Sequence, residues 1–200
     1  MEIDFRQGLE RGSRIGDVAQ VMASLVAGSS TLCAIGVALF LNGLWPEALA
    51  GSYELHGLDA LVLIDVLLLI VSFFVIGAWI WRAHANLSLT DAPQTEYTPG
   101  WAVGWFAVPI ANLFKPFQAM KALWQASHGE EPDANNPAGG LLWVWWIGWL
   151  VSSIGGFGEV FTTLNIVAYV ATVVSAICML LIIRRINAAQ PTMSIARTFE

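Results

Sequence analysis

The sequence is poor in charge. Asp, Glu, Lys and Arg make up only 12% of its 200 residues, against roughly 25% in a soluble globular chain. Hydrophobic residues reach 56%. They gather in uninterrupted blocks of the length that crosses a hydrocarbon core, about 20 residues, where a soluble bundle would alternate apolar and polar positions. Nine basic residues face fifteen acidic ones, for a formal net charge of −6. No polybasic segment occurs, which removes nucleic acid from the expected partners.

Cysteine is also scarce. Cys33 and Cys178 are the two present; each lies deep in an apolar block, and no Cys-x-x-Cys spacing exists, so neither a disulfide framework nor a metal site is expected. The three histidines, His56, His84 and His128, fall outside the blocks, whereas haem held between spans wants histidines on the spans. There is no Gly-x-Gly-x-x-Gly, phosphate loop, His-Glu-x-x-His or Gly-x-Ser-x-Gly. Gly155-Gly156-Phe157-Gly158 lacks a preceding strand and a following Lys-Ser/Thr. No nucleophile–base pair or metal set points to an enzyme, and no cofactor is expected.

What the chain does have is four apolar blocks, at about 18–41, 58–81, 141–157 and 160–183. They imply an all-α integral membrane protein of four helices. Residues 1–17 read as a polar lead-in, 18–183 as one membrane domain, and 184–200 as a tail. In the first block Ala23, Ala27, Ser30, Ala34 and Ala38 recur every three or four positions, a spacing that lets a partner helix come close. The block starts late and runs long for a cleaved signal, despite the cleavage-like Ala48-Leu49-Ala50. Trp79 and Trp81 before Arg82 read as an interfacial anchor, and Trp143, Trp145, Trp146 and Trp149 as an interfacial belt. The exits of spans two and four, IWRAHAN at 80–86 and IIRRINA at 182–188, are alike, as two parallel hairpin repeats would be.

The basic residues set the orientation. Arg6, Arg11, Arg14, Arg82, Lys115, Lys121, Arg184, Arg185 and Arg197 all fall on one side of a four-span arrangement. That side is then cytoplasmic, with both termini and the central region on it. The expected location is a bacterial inner membrane, spanned several times.

Two places carry candidate chemistry. Asp65 is the one ionisable residue well inside a span, where a carboxylate is costly. No Lys or Arg is available there, so its expected partners are Ser29, Ser30, Thr31, Thr162, Thr163 or Asn165. Glu159, in the turn after Gly155-Gly156, reads as a solvated loop carboxylate. The second place is the central region. Its apolar portion, 101–114, is short for a span and interrupted by Pro109, so a re-entrant or interfacial elbow is expected. After Pro116, Phe117, Met120 and Trp124 lie at i, i+3 and i+7, as in a surface helix over 117–126. Pro109, Asn112, Lys115, Pro116, Gln118, Trp124 and Ser127 are the candidate latch or ligand residues. Asn112 is placed to bond backbone groups left unpaired by the prolines, and Lys115 to meet a headgroup phosphate.

The stretch YTPGWAVGWFAVPIANLFKPFQAMKALWQAS at 97–127, between apolar spans, resembles the bacterial membrane family known as domain of unknown function 4328. The matching positions are Pro99, Gly104-Trp105-Phe106, Pro109, Asn112-Leu113, Pro116, Met120, Trp124 and Ser127. The resemblance implies an integral membrane protein of about four spans and brings no activity, ligand or catalytic residue.

The leading functional expectation is a non-enzymatic interaction or accessory subunit that presents the 97–128 region to a partner or to lipid. One alternative is a small transporter or channel, oligomeric, with Asp65 as a cation or proton site. Another is lipid binding by the 109–127 elbow. Expected partners are membrane lipid and either another protein or further copies of the chain.

Overall fold

A computed structural model describes residues 2–45, 57–88, 97–129, 137–155 and 162–196. Ala48-Leu49-Ala50, His56, Gly156, Phe157, Gly158, Glu159 and Arg197 lie outside these residues. The described chain is all helical: α1 (Glu2–Leu41), α2 (Gly57–Ser88), α3 (Pro99–Gly104), α4 (Lys115–His128), α5 (Pro137–Gly155) and α6 (Thr163–Ala196), with no strand among the described residues.

Three of these helices are long and apolar enough to cross a membrane, over Gln7–Leu41, Gly57–Leu87 and Thr163–Pro191. Each outruns its apolar block. The polar residues 1–17 are helical from Glu2 and continue into the apolar block without a break, since no proline interrupts them. α1 stops at Gly43, whose φ of +67° only glycine adopts freely. Leu44 N–H then donates to Leu39 O at 2.8 Å and Gly43 N–H to Phe40 O at 3.0 Å, the paired bonds of a Schellman cap. α2 exposes large apolar side chains from Leu63 to Phe74, with Phe74 itself 68% exposed. A protein in water does not leave so long an apolar surface uncovered.

The chain divides into two compact units. The first comprises residues 1–21, 74–143 and 180–200. Its core draws on Ala19 from α1, Trp79, Ile80 and Ala83 from α2, one face of α4, and Ile182, Ile183 and Ile186 from α6. Gly8, Gly12 and Gly16 are buried there as well.

The second unit comprises residues 22–73 and 144–179. Ala23, Val26, Ser30, Cys33 and Val37 form the buried face of its α1 portion, while Ala27, Ala34 and Ala38 are only half-buried. The small residues expected to line the seam are thus divided between its centre and its margin. Gly148 on α5 admits the α6 backbone: a Cβ there would stand 3.0 Å from Ala171 O. Ser175 Oγ donates to Trp145 O at 3.1 Å across the same contact.

The tryptophans are not simple anchors. Trp79 is 1% exposed and Trp81 47%, because positions two apart on a helix point about 200° apart. Trp145 and Trp146 are likewise buried, while Trp143 is exposed. Half of the expected belt is core.

Candidate functional site

The region 97–129 belongs to the first unit. Thr98 begins α3 by accepting Trp101 N–H on its side-chain oxygen at 3.4 Å, with Pro99 in the first turn. A 3-10 turn over Trp105–Ala107 follows, Val108 turns extended, and a second 3-10 turn covers Ala111–Leu113. No continuous helix runs through 101–125. Pro109 cannot donate a backbone hydrogen bond, and the chain closes the bend instead with Asn112 N–H on Val108 O at 2.7 Å.

The side-chain bond expected of Asn112 is not formed: its Oδ1 is buried and has no donor among the described residues. Pro109 is exposed. Pro116 lies in the first turn of α4, where its missing N–H costs nothing. α4 ends at Gly129, with φ of +72° and its N–H on Gln125 O at 2.8 Å.

α4 buries Pro116, Ala119, Met120, Leu123, Trp124 and Ser127. Trp124 stacks on His128, with centroids 4.1 Å apart and planes 12° apart. Phe117 meets Trp143 at 4.4 Å. Ser127 is 1% exposed, and its Oγ has no hydrogen-bond partner among the described residues. Against this packed face stands an exposed run. Val108, Ile110, Leu113 and Phe114 are 37%, 77%, 57% and 44% exposed, and Lys115 follows directly.

Lys115 gathers a site around it. Its Nζ lies 5.8 Å from the Tyr97 ring centroid and 5.8 Å from that of Trp105, within cation–π range. Trp101 and Trp105 pack at 4.7 Å. Tyr97, Thr98, Trp101, Trp105 and Lys115 line a cleft of about 190 Å³. Gln118 borders it, accepting the Tyr97 hydroxyl on Oε1 at 3.0 Å. Of the residues that the sequence singles out, the structure brings Lys115 and Gln118 to this cleft and leaves Trp124 and Ser127 in the core. The sequence does not mark Tyr97, Thr98, Trp101 and Trp105 as lining residues. The one signal it holds for them is aromatic crowding close before a lone lysine.

Asp65 belongs to the second unit and is 1% exposed. The hydroxyls of Ser29 and Ser30 both donate to its Oδ1, at 2.6 and 2.8 Å. Ser29 has Val26 O at 3.2 Å as a second acceptor. One turn on, Cys33 Sγ donates to Leu61 O at 3.7 Å, and Tyr169 of α6 hydrogen-bonds Cys33. Adjacent serines can share one acceptor because both fall on the edge of the helix face that meets α2. Thr31 instead returns its hydroxyl to Ala27 O at 2.6 Å, and Asn165 accepts from Thr162.

His84 is buried, with Nδ1 on Ile80 O at 2.9 Å. Among the described residues no group of three or more His, Cys, Asp or Glu could hold a metal.

No curated protein and no solved structure matches the chain. A family model does match, over residues 42–188 of the 200, from the end of α1 well into α6. The chain therefore belongs to the family described as Domain of unknown function (DUF4328).

Proposed function

We propose that the protein is a non-enzymatic, multi-pass membrane protein of the inner membrane, an interaction or accessory subunit. Its 97–128 region docks on the cytoplasmic headgroup layer and presents a polar face beyond it. One observation carries this reading: the exposed apolar run from Val108 to Phe114 ends at a lysine. A side chain of this size is worth about 1.5–3 kcal/mol when fully buried, so Ile110, Leu113 and Phe114 have reason to enter lipid. Lysine after such a run favours the headgroup level. α5, 19 residues without a charge, is about 28 Å long, near the hydrocarbon thickness of about 30 Å. It supplies the fourth span.

The test is depth. A spin label on Ile110→Cys, in the full chain reconstituted into phosphatidylcholine nanodiscs, is expected to report apolar surroundings, with labels on Gln125→Cys in water. A label at 110 as wet as that at 125 overturns the reading.

A further inference from the structure

We propose that the Lys115 cleft binds the phosphate of an anionic glycerophospholipid headgroup. This rests on the interfacial docking above and adds what the docked region recognises.

Unused donors surround the lysine. Among the described residues Lys115 has aromatic neighbours and no carboxylate. The Thr98 side chain accepts Trp101 N–H, and its own proton has no acceptor among the described residues. The indole N–H groups of Trp101 and Trp105 make no hydrogen bond there either. A cleft bordered by an ammonium, a hydroxyl and two indoles, with no carboxylate among the described residues that line it, is suited to an anion rather than a cation.

Size and position narrow the choice. At about 190 Å³, the cleft is smaller than the roughly 300–1,000 Å³ of a drug or cofactor pocket. It has room for a phosphate and part of its ester. Phe114 and Leu113, both exposed, immediately precede Lys115. Apolar surface beside a cation repeats the order of acyl chain and phosphate in a lipid. The quaternary ammonium of phosphatidylcholine fits less well, since the rings of Tyr97 and Trp105 already face the Lys115 charge. A second cation there is repelled. Phosphatidylglycerol brings the phosphate without that cation.

The test uses the full chain in detergent. Retained lipid is counted by native mass spectrometry after exposure to equal phosphatidylglycerol and phosphatidylcholine. The wild type is expected to prefer phosphatidylglycerol about tenfold, the worth of one charge-assisted hydrogen bond. Lys115→Gln should abolish the preference and Lys115→Arg keep it, while Thr98→Val lowers it. Arg185→Gln, at an exposed position on α6, should leave it unchanged. No preference in the wild type overturns the proposal. So does a preference that survives Lys115→Gln, or one lost equally in Arg185→Gln. Displacement of the lipid by millimolar inorganic phosphate would make the site one for free phosphate and also overturns it. Docking is read separately, by the Ile110 label in pure phosphatidylcholine. A buried label with no headgroup preference sinks this inference alone, and a wet label sinks the proposed function.

Discussion

Gly16 of α1 lies so close to Asn187 of α6 that a Cβ on the glycine would overlap the asparagine amide nitrogen. Asn187 is not free to move aside, because its Oδ1 accepts Trp79 Nε1–H at 3.0 Å. One turn earlier, a Cβ on Gly12 would stand 2.8 Å from Asn86 Nδ2. That amide donates to Gln190 Oε1 at 3.2 Å, and Gln190 Nε2 donates to Ala83 O at 3.1 Å. A stripe of glycines thus lets α1 approach a layer of side-chain amides shared by α2 and α6.

Gly16→Ala should therefore destabilise the protein. Alanine gains about 1 kcal/mol of helix propensity over glycine. Displacing Asn187 leaves the buried Trp79 N–H unpaired, at about 1–3 kcal/mol, and overpacking adds about 1–3 kcal/mol. The losses win. Gly28 supplies the control: a Cβ there would meet nothing within 4 Å, so Gly28→Ala should be neutral or stabilising. Thermal unfolding of the full chain in detergent compares the two. Equal stability of both variants would show that no close approach depends on Gly16.

The amide layer also marks the limit of what the sequence makes legible. The apolar blocks are legible because little besides a lipid environment calls for an apolar run of hydrocarbon length. Helix ends are not, since Arg82, Arg184 and Arg185 stop an apolar block without stopping a helix. Gly8, Gly12 and Gly16 stand in plain view at a spacing of four, yet they sit among charges, where a polar lead-in is the simpler reading. Asn86 and Asn187, which each face a glycine of α1, stand one position out of register in the similar stretches 80–86 and 182–188, so that likeness does not pick them out. At the candidate site Lys115 is legible as a lone cation beside proline. Its cleft is not, because the path of the backbone through Val108 and Pro109 decides which aromatics surround it.

The proposed orientation can be tested directly. With the basic residues on the cytoplasmic side, Ala92→Cys and Asn135→Cys should resist a membrane-impermeant maleimide in intact cells and react after permeabilisation. Background is low, since Cys33 is 0% and Cys178 8% exposed. Labelling of either position from outside would invert or break the four-span arrangement.

Asp65 offers a test in which the order of effects matters more than their size. Its Oδ1 is held by Ser29 and Ser30 together. Removing both donors in Ser29→Ala with Ser30→Ala leaves a buried carboxyl without its hydroxyl partners, and a buried polar group left unsatisfied costs about 1–3 kcal/mol. Removing the acceptor instead, in Asp65→Leu, strands less. Ser29 keeps Val26 O at 3.2 Å as an acceptor, so only the Ser30 hydroxyl loses its partner, and the apolar replacement suits the surrounding helices. The serine pair should thus cost more stability in detergent than Asp65→Leu, with Ser30→Ala alone costing at least as much as Ser29→Ala. The triple variant should recover part of the loss, as coupled sites do. If Asp65→Leu proves the worst of the set, the carboxyl has a partner beyond the two serines, and its role is more than the pairing of α1 with α2.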